Sequence, residues 1–542
     1  MSKTADVVVL DGRSLTTECL YKLGRLEMKV DISEEAWKRV AAAREVVDKA
    51  VANSAERKVK IYGVTTGFGR NAPHYIGEKH LKQLQTSIIV SHATGVGQPL
   101  TPERTRMLMA LRINVLCTGN SGVSRRVLQA YVDAFNESCL PIVPEKGTVG
   151  ASGDLAPLAH IALGLIGKGD MWSPSTGRES AKKVLEQHNL KPLEQDELKP
   201  KDGLTLVNGA QLITSLGCEA VERAALISKQ ADVIAALTVQ VLRGSADPYK
   251  EEIHNARRHT GQNQSAGRMR QLLDFKRFPD ENLLRRPGDD DAEVQDPYSM
   301  RCVPQVHGVA CDTTEMVRKW LNTELNSATD NPIVVGGEIL VGGNFHGEYP
   351  AKALDYLAIG VHELASISER RLDKLMHGKD EGKDCKRILP PFLVNPDPVD
   401  GLNSGFMIVH CTAASLVSEN KGLCHPASVD TIPTSDGQED HVSMGGWSAR
   451  KALQVVENVE TVLSLELLAA CQGMYLREKN QLKLKLDQPK LTTPLQDVYK
   501  LVLEYVKLDE KDIYMGCNIE AVGRLVREGK IWEKVRGYLT ED

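Results

Sequence analysis

The runs of apolar residues at helical spacing, long and free of proline, limit the fold more than any other feature of this chain. From Leu204 to about Leu242 there is no proline, and Leu212, Ile213, Leu216, Ala220, Ala224 and Ile227 fall on one face of a helix. A second run, from Ala449 to Leu476, repeats Leu453, Val456, Val459, Val462, Leu463 and Leu467 in the same way. Shorter runs of this kind cover about 351–376, 406–419 and 155–165. Helices of roughly 25–35 residues exceed the usual mean of about 11–12. They bury their apolar faces by packing on one another, which favours a mainly α bundle built across subunits. No apolar stretch is read as long enough to span a membrane.

A second constraint is chemical and lies in Gly147-Thr148-Val149-Gly150-Ala151-Ser152-Gly153-Asp154-Leu155-Ala156-Pro157-Leu158. Small residues surround one serine. In a tight turn the Gly153 amide nitrogen reaches the Ala151 carbonyl carbon, because glycine accepts the backbone angles this needs. Ring closure with loss of one water, then loss of the Ser152 hydroxyl as a second, would leave a five-membered imidazolone with an exocyclic methylidene. That group is an electrophile no ordinary side chain offers. A phosphate-binding loop would need Gly-Lys-Ser or Gly-Lys-Thr, and Gly153 is followed by Asp154. The G-x-G-x-x-G spacing of a dinucleotide fold is absent. On the stretch alone, a plain glycine-rich turn before a helix explains it equally well.

Other loops carry polar residues without so sharp a signal. Tyr62 opens Tyr62-Gly63-Val64-Thr65-Thr66-Gly67-Phe68-Gly69, which three glycines mark as a loop. His92 lies in Ser91-His92-Ala93-Thr94-Gly95. Asn208 is expected as a cap at the start of the first long helix. Pro297 blocks a helix in Gln295-Asp296-Pro297-Tyr298-Ser299-Met300-Arg301-Cys302, so Tyr298 and Arg301 stand on a loop or at a helix start. Phe345 lies in Gly343-Asn344-Phe345-His346-Gly347 after a short strand at Ile339-Leu340-Val341, and Glu439 in Gln438-Glu439-Asp440-His441, which alone reads equally well as a salt-bridged helix start.

Taken together, these motifs resemble the aromatic amino acid ammonia-lyase family along nearly the whole chain, and most nearly its histidine-specific branch. The resemblance implies a mainly α, L-aspartase/fumarase-like long-helix bundle with a smaller mixed N-terminal part carrying the Ala-Ser-Gly loop. It suggests residues 1–205 as that N-terminal domain, 206–480 as the central bundle and 481–542 as a C-terminal helical segment. It implies a homotetramer whose active sites are shared between subunits. The prosthetic group implied is 4-methylidene-imidazol-5-one (MIO), formed from Ala151, Ser152 and Gly153 with no external cofactor and no metal. Tyr62 becomes the base for the substrate's β-proton and Tyr298 a hydrogen-bonding partner at the reacting centre. A tyrosine's ordinary pKa of about 10 must fall for such a role at neutral pH.

In this reading Arg301 takes the substrate carboxylate, matching two oxygens with its planar fork. Asn208 and Gln295 supply neutral donors and acceptors, and Phe345 an apolar wall. His92 and Glu439 select the substrate, since an imidazole ring needs both a donor and an acceptor. A phenyl ring would leave each buried polar group unpaired, at roughly 1–3 kcal/mol. The implied reaction is elimination of ammonia from L-histidine to give urocanate, the first step of histidine degradation.

Composition narrows the alternatives. Charged residues make up 26% and apolar residues 42%, with a net charge of −5 and both signs interspersed. Nothing in that pattern points to nucleic acid or a membrane surface. Eleven cysteines without Cys-x-x-Cys pairs read as reduced thiols, and the N-terminus lacks a signal peptide's pattern, so the cytoplasm is expected. Asp289-Asp290-Asp291 reads as a solvated loop. Three other readings remain at this point: a tyrosine or phenylalanine lyase or aminomutase, a lyase of the fumarase type without MIO, and a non-catalytic helical scaffold.

Overall fold

The computed structural model describes residues 6–286, 294–381, 386–395, 399 and 401–540. Asp289-Asp290-Asp291 lies outside them. The described residues form nineteen α-helices and only short strands, none longer than four residues. Local chemistry explains where the helices start. Ser33 Oγ accepts from the Ala36 amide at 3.2 Å and opens Glu34–Arg57, with Glu34 and Glu35 at the positive helix end. Thr101 opens Pro102–Cys117 in the same way, with proline in the first turn, where no backbone N–H is missed. The helix expected at 155–165 occupies Leu155–Leu165.

The long runs become Gln211–Val241, Glu348–His377 and Gly445–Lys483, of 31, 30 and 39 residues. One expectation is corrected here. The run from Leu204 is not a single helix: Asp202–Val207 ends, the chain turns through Asn208 and Gly209, and the long helix starts at Gln211. Gly209 has φ +138°, and its carbonyl accepts from the Asp154 amide at 2.7 Å. The backbone leaves the helix there to pair with the Ser152 turn, so Asn208 ends a short helix instead of starting a long one.

Membrane length needs a second correction. Gln211–Val241 and Gly445–Lys483 are each long and apolar enough to cross a membrane by length and composition, but 83% and 89% of the qualifying windows are buried inside the protein. Such burial is what core helices of a bundle require.

The chain forms two compact units, each assembled from three segments. The first comprises Met1–Glu222, Val317–Asp355 and Pro426–Leu453, and the second Arg223–Met316, Tyr356–His425 and Gln454–Asp542. In the first unit Val7–Leu10 pairs in parallel with Lys29–Ile32, and the helix Pro102–Cys117 is buried from Thr105 onward. Two of its three arginines, Arg106 and Arg112, are buried with partners. Arg106 lies 4.0 Å from the Phe135 ring centroid and donates to the Phe135 carbonyl at 3.0 Å, while Arg112 donates to Gln211 Oε1 at 2.8 Å. Lys201 and Asp330, both fully buried, pair at 3.2 Å.

The second unit has an ionic core of its own. Glu466 accepts two bonds from Arg371, at 2.6 and 2.8 Å, and one each from Thr238 and Ser368. Asp232 accepts from Ser265 at 2.6 Å, Arg268 at 2.7 Å and His307 at 2.8 Å. Buried charges are tolerated where several hydrogen bonds and an opposite charge compensate their desolvation in this way.

Candidate active site

The Ser152 turn is held from several sides, all within the first unit. Gly150 and Gly153 have φ of +68° and +75°, in the left-handed region that glycine tolerates. A Cβ at Gly153 would strike the Gly209 carbonyl, and one at Gly150 the Ser443 hydroxyl. The Gly150 carbonyl accepts from Ser443 Oγ at 3.0 Å and from the Gly347 amide at 3.1 Å. The Met444 amide donates to the Val149 carbonyl at 2.8 Å.

Asp154 follows the turn and is fully buried. Its Oδ1 accepts from Thr148 Oγ1 at 2.9 Å and its Oδ2 from the Ile213 amide at 3.0 Å. Although it precedes Leu155–Leu165, its side chain makes no cap bond to that helix. It caps the start of Gln211–Val241 instead. Burial pushes its carboxyl up to about 6, against the downward pull of those hydrogen bonds.

The turn lines a cavity of about 1110 Å³. Tyr62, His92, Ala151, Ser152, Asn208, Phe345 and Glu439 all line it, although they come from widely separated parts of the sequence. Ser152 is gripped at both ends: its Oγ donates to Glu439 Oε1 at 2.5 Å, and its carbonyl accepts from Asn208 Nδ2 at 3.0 Å. Asn208 Oδ1 is buried with no partner among the described residues. Glu439 Oε2 accepts from Thr434 Oγ1 at 2.6 Å and Ser435 Oγ at 3.0 Å. Burial raises the Glu439 carboxyl, but hydrogen bonds from Ser152, Thr434 and Ser435, with His92 nearby, bring it below its ordinary value. Burial lowers His92, opposed by the Ile88 backbone and by Glu439, so its ring is neutral at neutral pH. His92 Nδ1 lies 2.9 Å from Ser91 Oγ.

Tyr62 stands on a pinned loop. Val64 packs with Ala43, Val47 and Val334, and Thr65 and Thr66 are buried. The Tyr62 hydroxyl accepts from the Gly69 amide at 3.4 Å. Gln295, Tyr298 and Arg301 belong to the second unit and do not line this cavity. Tyr298 opens the short helix Tyr298–Arg301, is 71% exposed, and lies under the Arg301 guanidinium with 4.5 Å to the ring centroid.

Several contributors escaped the sequence reading. Asp154 had shown only as the residue that excludes a phosphate loop; an Asp directly before a helix, with a threonine six residues earlier, was the available signal. Arg70 pairs with Asp436 and joins the Tyr62 loop to the Glu439 loop, and both residues line the cavity. His346 and His441 stack at 5.7 Å with an interplanar angle of 10°. Ligand atoms of these two histidines and Glu348 lie within 4.8 Å of one another, and Glu348 is paired with Lys352 at 3.3 Å. Nothing local in the sequence predicts these pairings.

The helical fold and the serine-bearing turn, set in a polar cavity, define a class: mainly α proteins with an Ala-Ser-Gly loop at the site. The chain belongs to the aromatic amino acid lyase family, whose model matches residues 15–503. Histidine ammonia-lyase of Bos taurus is 55% identical over 535 residues, covering 98% of this chain and 77% of that protein. The solved histidine ammonia-lyase of Trypanosoma cruzi is 45% identical, with a TM-score of 0.85 over 99% of this chain and 96% of that one. A tyrosine aminomutase from Streptomyces globisporus is 32% identical, with a TM-score of 0.85 over 99% of both chains. The expected long-helix architecture of the L-aspartase/fumarase type is borne out.

Proposed function

We propose that this protein is an ammonia-lyase that converts L-histidine to urocanate and ammonia. One observation carries the reading: Glu439 and the neutral His92 line the same cavity as Ser152 and Tyr62. A carboxylate accepts from a ring N–H and a neutral imidazole complements the other ring nitrogen, a pairing that no phenyl or phenol side chain satisfies. The names of the bovine and trypanosomal relatives support the same substrate.

The turn suits the group expected from Ala151, Ser152 and Gly153. Gly153 has the required freedom, and Asn208 Nδ2 already donates to the Ser152 carbonyl, whose oxygen becomes the exocyclic carbonyl oxygen of MIO. When formed, MIO supplies the electrophile that makes the amine a competent leaving group. Tyr62 then takes the β-proton. Asn208 Oδ1, buried and unpartnered among the described residues, is free to accept a substrate N–H. Phe345 closes an apolar side of the cavity.

Gln295, Tyr298 and Arg301 complete the site from a neighbouring subunit of a homotetramer in the cytoplasm. The exposed Tyr298, stacked on a half-buried Arg301, supports this, since a tyrosine and an arginine so placed suit an interface. Arg301 holds the substrate carboxylate and Tyr298 assists at the reacting centre.

A mixing experiment tests both the reaction and the shared site. Y62F and R301A are each expected to lose histidine turnover by about 100-fold or more. Co-assembled from a mixture, they should regain a substantial share of wild-type urocanate production, because some sites then receive an intact Tyr62 and an intact Arg301. No recovery in co-assembled protein contradicts the shared site, and no urocanate from the wild type contradicts the reaction.

A further inference from the structure

Glu439 has a partner that substrate recognition does not explain. Its Oε1 accepts from Ser152 Oγ at 2.5 Å, so in the encoded chain the carboxylate is bound to the hydroxyl that maturation must expel. We propose that Glu439 is a positioning residue for formation of the prosthetic group, holding the Ser152 hydroxyl for the second dehydration before it serves any substrate. This rests on the lyase reading above and adds an earlier role for the same residue.

The atoms balance as follows. A bond forms between Gly153 N and the Ala151 carbonyl carbon. The Ala151 oxygen departs as water, carrying the protons of the Gly153 and Ser152 amides, and a C=N bond forms at Ser152 N. In the second step the Ser152 Cα–H electron pair becomes the Cα=Cβ bond. The Cβ–Oγ pair leaves with oxygen, which takes the Cα proton and departs as the second water. No oxidant or reductant is consumed.

Two contacts bear on that second step and on opposite ends of it. Asn208 Nδ2 donates to the Ser152 carbonyl, next to the Cα that loses its proton, and draws electron density from it. Glu439 fixes Oγ at the other end. A free serine hydroxyl samples three staggered wells about Cα–Cβ. A hydrogen bond to a rigid acceptor selects one and holds the Cβ–Oγ bond in a single orientation beside Cα–H.

The acceptor is rigid. Thr434 Oγ1 and Ser435 Oγ hold its other oxygen, and the Thr434 amide donates to the Glu439 carbonyl at 2.9 Å. Ser443 and Met444, a few residues on, are bonded to Gly150 and Val149 of the turn itself. The Glu439 loop and the serine turn are therefore registered against each other before any ligand enters.

Intact mass of freshly expressed protein provides the test, with urocanate production not needed as a readout. Wild type should lie two waters below the encoded mass. E439A should accumulate a species only one water below it, ring-closed with the hydroxyl retained, at several times the wild-type fraction. E439Q keeps an amide oxygen at the same reach and should restore the two-water loss. T434V, which removes one of the two hydrogen bonds to Glu439 Oε2 without touching Ser152, should show a smaller one-water fraction than E439A. Melting curves confirm that each variant is folded.

Full two-water loss in E439A at the wild-type rate would overturn the proposal. So would folded E439A with no water lost, because Glu439 would then support the turn as a whole. If wild type itself keeps the encoded mass, the lyase reading falls and this inference with it, an outcome distinct from both.

Discussion

On the proposed reading, recognition of the substrate ring turns on Glu439 and His92, which line the same cavity. Glu439 is held below the ordinary carboxyl range and His92 below the ordinary imidazole range, so at neutral pH the cavity presents one negative acceptor and one neutral ring. E439Q should therefore lower the ratio of kcat/KM for L-histidine to that for L-phenylalanine by about 10-fold or more, measured with both amino acids on the same preparation. Y62F should cut kcat by about 100-fold or more while leaving the two-water mass loss intact, which separates the base from maturation. At this scale the sequence was informative wherever a residue's chemistry was unusual for its setting: a serine among glycines, a tyrosine in a glycine loop, a glutamate two residues before a histidine. It was silent on Arg70 with Asp436 and on Ser152 with Glu439, because those pairs meet only after distant loops converge.

Between residue and fold, the turn and the long helix behave as one element. Asp154 is bonded to Thr148 in its own turn and to Ile213 at the start of Gln211–Val241, and Gly209 breaks the helix to let them meet. This is where the sequence misled: an unbroken apolar period predicted one helix through Asn208, and the period carries no information about a backbone that leaves the helix for a distant partner. G153A should destabilise the protein by roughly 1–3 kcal/mol and prevent any water loss, since its Cβ meets Gly209 and its φ is strained. Asp154 gives a pH dependence of definite sign. Its folded pKa of about 6 lies above the ordinary 3.8, so its contribution to stability is full below about pH 3.8 and is lost as pH rises through about 6. D154N does not titrate. Between pH 5 and pH 8 its stability relative to wild type should improve by about 1 kcal/mol, read from denaturant melts at the two pH values.

For the molecule as a whole, the helical periods foretold the bundle, and the interleaving of segments was beyond them. Each compact unit draws on three stretches of chain, and four of the five boundaries fall within helices that the sequence presents as continuous. Buried ions hold the second unit. E466Q should cost about 3–5 kcal/mol in global stability, because Arg371 would lose its charged partner in a dry interior. On the proposed reading, Ser152 gives rise to an electrophile in a cavity whose His92 and Glu439 fit an imidazole ring. The most direct test is to offer the purified protein L-histidine, L-tyrosine and L-phenylalanine in parallel and follow the near-ultraviolet absorbance of each conjugated product. Urocanate is expected from histidine, with no comparable product from the other two. Product from tyrosine or phenylalanine in place of histidine would contradict the roles given to His92 and Glu439.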